Sequence, residues 1–308
     1  MPRTRVTLLL SVAACLAVGA ASPPRASARQ EVPAGDLAAR LRAVAATSGA
    51  ELAVAYRTLD GRDQLLLRAD DVFHAASTMK VPVMIELFRQ ADRGLLKLDG
   101  KIPVVNQFAS IVDGSPYALS AEDDSETGLY GRVGQPVTYR ELCELMITVS
   151  SNLATNILID RLSPQRIQQT SVELGAGGMQ VVRGVEDDKA YQAGRNNTTT
   201  ARALLVLMQA IAEGRAVSPA ASKEMVEILK RQKFNDGIPA GVPAGTAVAH
   251  KTGEISTVNH DAAIVYAARP YVLVVLVRGL DAKAREKLIA DVSRAVHESS
   301  QQPPPAPR

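Results

Sequence analysis

Ser77 and Lys80 lie three residues apart in the stretch HAASTMKVPVMI, residues 74–85. On a helix that spacing puts a hydroxyl and an amine on one face, one turn apart. A serine hydroxyl is a weak nucleophile until a base takes its proton, so the pair is a candidate nucleophile and base. Lys80 sits among small and apolar residues headed for a core, where an unpaired ammonium is costly. Such a lysine either pairs or gives up its proton more readily, the more so near other cations, which suits it to general-base work. Alone the pair is weak evidence, because serine three residues ahead of lysine is common by chance. Two further segments add to it. Ser150-Ser151-Asn152 falls at a bend between two helical patterns, which can aim polar side chains into a cleft. Lys251-Thr252-Gly253 lies on a strand-like segment, where the glycine lets a ligand come close to the backbone.

The elements that must position these groups can be read from the hydrophobic pattern. DLAARLRAVAATS (36–48) is helical and ends near Gly49. ELAVAYRTLDGRDQLLLRADD reads as two strands joined at Asp60-Gly61, a hairpin signal. A helix starts near Ser77 with Pro82 in its first turns, where proline is tolerated. The stretch from Asn106 to Gln135 is loop-like. Helices follow in VTYRELCELMITVSS and NLATNILIDRL, the first with a capping box of Thr138 and Glu141. Residues 174–197 form a second long loop, of the kind that carries function in compact domains. Helical patterns return in TTTARALLVLMQAIAEG and SKEMVEILKRQ; TAVAHKTGEI, HDAAIVYAA and YVLVVLVRG read as three strands, and AKAREKLIADVSRAVHE as a closing helix. Strands at both ends around a helical middle predict an α+β protein, an α/β sandwich whose antiparallel sheet is built from both termini.

Composition narrows the function classes. The 308 residues are 46% hydrophobic and 22% charged, with a formal net charge of +3, as in an ordinary globular protein. The charge is modest, there is no aromatic-rich basic stripe and no tryptophan, so nucleic acid is not expected as a partner. His74, His250, His260 and His297 show no metal-ligand spacing, and neither a metal nor a cofactor is expected. His74 and His250 lie near the motifs, where they line a cleft or fill space. Arg3 and Arg5 precede an apolar run from Val6 to Ala20, and Ala26-Ser27-Ala28 gives a cleavage pattern, so residues 1–28 read as a secretory signal. The alternative is a lipobox at Val12-Ala13-Ala14-Cys15, with a lipid anchor on Cys15. Either way the mature domain, 36–298, is expected outside the cytoplasm, periplasmic, secreted or tethered, followed by a disordered Pro-rich tail at 299–308. Cys143 is then the only remaining thiol and reads as a buried small hydrophobe. Nothing points to a partner subunit, and a monomer is the expectation.

STMKVPV, RELCELMITVSSNLATN, NNTTTARAL, HKTGE and HDAAIVY…YVLVVLVRG, in this order from about Asp36 to Glu298, resemble the class A β-lactamases and their penicillin-binding serine-hydrolase relatives. The resemblance implies a five-stranded antiparallel sheet flanked by helices, a mainly helical lobe, and a site between them. It implies that Ser77 is acylated, that Lys80 receives or relays its proton, and that Ser150 shuttles a proton to the leaving nitrogen. Asn152 would hold the substrate's side-chain amide, and Lys251 and Thr252 its carboxylate. The oxyanion hole would be the backbone N–H groups of Ser77 and Glu254, with Gly253 between the strand and the ligand. In the family a glutamate 36 residues after the serine at position 150 activates the deacylating water, and here that position is Glu186.

The chain also departs from the pattern. Ser151 stands where the family has aspartate, and Ala190 where an asparagine positions the water. Asn259 and His260 occupy the region of an arginine that backs the carboxylate, and Glu254 adds negative charge there. Met84 stands where some members carry the disulfide partner of the cysteine at position 143, so that bridge cannot form. The segment FASIVDGSPYALSAEDDSETGLYG (108–131) is extra and is expected to reshape one wall of the cleft. These departures keep two alternatives open beside a small-molecule β-lactam substrate: a peptidase, amidase or esterase acting on cell-wall or other acyl compounds, and a penicillin-binding sensor that deacylates slowly.

Overall fold

A computed structural model describes residues 34–302. The signal at 1–28, the Cys15 anchor and the tail from residue 303 onward lie outside the described residues. Five strands form one sheet: β1 (Glu51–Thr58), β2 (Gln64–Leu67), β3 (Ala247–Ile255), β4 (Val258–Tyr266) and β5 (Tyr271–Arg278), in the order β2-β1-β5-β4-β3, antiparallel throughout. The N-terminal hairpin docks on the C-terminal strands through β1 and β5, from Glu51 opposite Arg278 to Thr58 opposite Tyr271. The expected closure of the sheet from both ends of the chain is therefore what forms.

YVLVVLVR can be apolar without alternation because both faces of β5 are covered. On one face Ala53, Ala55, Ile264, Val272, Val274 and Leu276 pack into the helical lobe. On the other, Leu52, Val54, Leu273, Val275 and Val277 pack against α1 (Ala34–Ser48) and the closing helix α9 (Ala282–Ser300). The closing helix takes in Ser299 and Ser300, so it outlasts the boundary expected at 298.

The lobe is organised round α2 (Lys80–Asp92), buried on nearly every side and preceded by a 3-10 turn at Ala76–Met79. Pro82 lies in its first turn, as expected. α3 (Tyr139–Thr148) and α4 (Asn152–Leu162) meet at Ser150, with α5 (Pro164–Glu173) following. The predicted capping box is half formed: Thr138 Oγ1 accepts the Glu141 N–H at 3.1 Å, but the Glu141 carboxylate pairs with Arg132 instead of returning to the cap. A neighbouring guanidinium is the stronger partner. α6 (Asp188–Gln192) is a short helix within the second long loop; α7 (Ala201–Ala212) and α8 (Pro219–Leu229) complete the lobe. The long segment before α3 is bracketed by a three-residue strand pair, Lys101–Pro103 with Pro136–Thr138, and holds between them a two-residue pair, Phe108–Ala109 with Pro116–Tyr117, and two 3-10 turns.

Cys143 is fully buried in the lobe, and burial pushes its thiol up to about 12, so it is the inert core residue expected.

Candidate active site

Ser77 lies in the 3-10 turn that opens α2, half-buried beside β3. Gly253 permits that approach: a Cβ there would lie 2.9 Å from Thr78 N and 3.1 Å from Ser77 N. β3 is an edge strand, so one side of its backbone has no strand partner. Ser77, Ser150, Asn152, Thr252 and Glu254 line a cleft of 430 Å³, and a second cavity of 390 Å³ meets it at Ser77, Asn152 and Glu254. The second cavity is walled by His74, Arg183, Glu186 and Tyr191.

Behind the cleft stand two fully buried lysines. Lys80 Nζ donates to Ser150 O at 2.6 Å, Asn152 Oδ1 at 2.9 Å and Ser150 Oγ at 3.1 Å. Lys251 Nζ donates to Ser150 Oγ at 3.1 Å and to Thr252 O at 2.9 Å. Ser150 Oγ thus accepts from two amines, which leaves its own proton free for a third party. Burial pushes Lys80 down to about 7, against the opposing pull of Asp124 and Glu186. Lys251 is held well below the usual lysine range by burial and by Lys80, with Asp261 opposing.

The expected contact between Ser77 and Lys80 is not made: among the described residues Ser77 Oγ has no hydrogen-bond partner, and the three donors of Lys80 are all engaged elsewhere. An ammonium has no lone pair to offer a hydroxyl, so in this protonation state the better acceptors keep it. Loss of one proton frees a lone pair, and catalytic hydrogen bonds commonly tighten only once substrate is bound.

Asn152 bridges the two candidate bases. Its Oδ1 takes the Lys80 proton donor, and its Nδ2 donates to Glu186 Oε1 at 2.8 Å. Burial first, then repulsion by Asp124 and Asp123, raises the affinity of Glu186 for a proton, while Asn152 and Lys80 oppose this. Ser150 and Glu186 both adopt positive φ, 61° in each case, a conformation that costs a non-glycine residue on the order of 1 kcal/mol. Both are held from outside. Asn156, one turn after Asn152, grips the backbone beside Glu186 through Val185 N at 2.7 Å and Val185 O at 3.0 Å.

Ala190 is fully buried in α6, where its N–H meets Asp187 Oδ1 at 3.1 Å, so that position offers no side-chain hydrogen bond. Sequence reasoning missed Asn156 and Asp187. It also missed the pair of His250 with Asp261, whose Nδ1 and Oδ1 lie 3.0 Å apart behind the cleft. His74 lines the second cavity; His250 instead fills the interior. Among the described residues no group of three or more histidine, cysteine or acidic side chains is arranged to hold a metal ion. No helix among them is long and apolar enough to cross a membrane.

Residues 36–299 match the model of the beta-lactamase enzyme family. The chain belongs to that family. A beta-lactamase of Streptomyces albus G is 28% identical over 97% of both chains. An ancestral class A beta-lactamase superposes with a TM-score of 0.74 at 28% identity, covering 85% of this chain and 99% of that one. PBP-A superposes equally, TM-score 0.74 at 29% identity, over 87% of this chain and 97% of that one. A variant of PBP-A solved as its acyl-enzyme complex with penicillin G matches at 30% identity and a TM-score of 0.73 over 87% of this chain and 97% of its own. The family member described here has the class A fold and is a serine hydrolase of the beta-lactamase type.

Proposed function

We propose that the protein hydrolyses β-lactams through an ester on Ser77. Lys80, once neutral, takes the Ser77 proton as Oγ attacks the lactam carbonyl. The C–N bond then breaks, Ser150 passes a proton to the leaving nitrogen, and Lys80 replaces it with the one taken from Ser77. Glu186 next takes a proton from water, the resulting hydroxide attacks the ester carbonyl, and Ser77 leaves with the proton that Glu186 passes back through Lys80. The backbone N–H groups of Ser77 and Glu254 hold the developing oxyanion. Asn152 holds the substrate's side-chain amide, and Lys251 and Thr252 its carboxylate, with Gly253 letting β3 lie close against the Ser77 turn. One observation carries this reading: a serine hydroxyl in a cleft, without a hydrogen-bond partner among the described residues, stands before a buried lysine at about 7 that one asparagine joins to a half-buried glutamate.

Ala190 favours a second reading, an acyl-enzyme that is released slowly, because a side chain at this position that could orient a water for Glu186 is missing. One experiment separates the two. A chromogenic cephalosporin is added and the intact mass followed: rapid colour with free enzyme supports hydrolysis, whereas a lasting adduct on Ser77 supports the sensor. Neither colour nor adduct would remove both readings. Glu186→Ala is expected to accumulate the adduct; a variant that clears it at the native rate would take Glu186 out of deacylation. Export by the leader at 1–28 completes the proposal, supported by Arg3, Arg5, the apolar run and Ala26-Ser27-Ala28. Fractionation of the native host would check it.

A further inference from the structure

The start of α4 carries the Ser150–Asn152 turn, yet position 151 is a serine. The first N–H groups of a helix have no partner inside it and need one from outside. Ser151 Oγ serves only one of them, Ala154 N, at 3.2 Å. The others are taken by Asp124, which reaches in from the extra segment 108–131. Its Oδ2 accepts from Asn152 N at 2.8 Å, Leu153 N at 2.9 Å, Tyr130 Oη at 3.0 Å and Ser151 Oγ at 3.4 Å. Its Oδ1 accepts from Glu126 N at 3.2 Å, which ties the carboxylate to its own loop. Asp124 is 8% exposed, so these bonds are shielded from water.

We propose that Asp124 is the positioning residue of the catalytic turn, supplying from an inserted loop the carboxylate that Ser151 cannot. It acts through Asn152 and Ser150 without touching substrate, and this rests on the roles proposed above for those two. The backbone N–H that Asp124 holds belongs to Asn152, whose side chain joins Lys80 to Glu186. The residue two positions before it, Ser150, has a strained backbone that needs the helix start fixed after it. A carboxylate at a helix N-terminus is also favoured by the backbone dipoles. Its charge faces the same lysine and glutamate: it raises the proton affinity of both Lys80 and Glu186. The other charges facing Lys80 are Glu186 and, across Ser150, Lys251 of β3.

The test is a carboxylate relocation. Asp124→Ala, Ser151→Asp and the double variant are compared with the native protein for kcat/KM on a chromogenic cephalosporin across pH. Amide exchange at Asn152 and Leu153 is measured in the same four proteins. Asp124→Ala is expected to lose about tenfold to a hundredfold, the scale of a hydrogen-bonded charge. Its acid limb moves down, because a negative charge beside Lys80 is gone. Ser151→Asp alone also loses activity, since two carboxylates crowd one pair of N–H groups. The double variant recovers most of the loss and returns the limb. An Asp124→Ala activity within about twofold of native overturns the proposal, as does a double variant no better than Asp124→Ala. Should Asp124→Ala not fold, Asp124→Asn replaces it, and an unmoved acid limb in that variant is equally fatal. If the native protein hydrolyses no β-lactam, the function proposed above fails by itself. Exchange at Asn152 and Leu153, fast in Asp124→Ala and slow again in the double variant, still decides the role of Asp124.

Discussion

Ser77 divides one cleft into two unlike halves. Toward Lys80, Asn152 and Glu186 each polar side chain is hydrogen-bonded to the next and largely withdrawn from water. Toward the opposite wall, Asp236, Glu254 and Glu286 gather without such a chain, and Glu286 is pushed up by burial and by repulsion from Asp236 and Glu254. The first half is the one proposed above to move protons. The second meets the substrate through a field of like charge, much of it exposed and therefore screened. Substitutions should accordingly be severe on the first side and mild on the second.

The largest effect is expected from Lys80→Met, which removes the proposed base while filling the same space. Its acylation rate, read by intact mass, should fall by about 10²–10⁴-fold. A change no larger than that produced by Glu254→Gln would erase the distinction between the halves. The pH profile comes next. Lys80 must be neutral to accept a proton, and burial places its titration at about 7. Acylation should therefore rise with pH through about 7 and fall by about tenfold per unit below it. A limb in the ordinary carboxylate range would assign the base elsewhere. A smaller effect is expected where the glutamate loop is tied down. Asp187 accepts from Ser110 Oγ at 2.7 Å and Ile111 N at 2.9 Å, and Lys189 pairs with Asp113 at 2.8 Å. Asp187→Ala should lower the thermal midpoint through the loss of about 1.5–3 kcal/mol and slow deacylation more than acylation. Equal slowing of both steps would show that the loop serves more than Glu186. Least of all, Glu254→Gln and Glu286→Gln should lower KM for an anionic penicillin by only about two- to fivefold. That gain should vanish in high salt.

The sheet was legible because its signals are local: the Asp60-Gly61 turn and the apolar runs of β1, β4 and β5. The site was legible as far as its motifs are short. Lys80, Ser150, Asn152, Lys251 and Thr252 converge as the resemblance implies. α5 went unread because its sequence, PQRIQQTSVE, offers one well-buried apolar residue, Ile167, beside Thr170 and Ser171. Asp124 was hidden for a different reason. In AEDDSETG three adjacent acids look alike, and only the folded chain shows that one of them turns inward to α4 while Asp123 stays exposed. The Ser77–Lys80 contact depends on a proton, which no spacing records.

Cys143 lies at the centre of the lobe and is the sole cysteine of the described residues. No covalent crosslink holds this lobe together, so reducing agents should leave its folding untouched. The same thiol is a built-in reporter: an alkylating reagent can reach it only when α3 parts from its neighbours. The rate of that reaction therefore counts how often the interior opens.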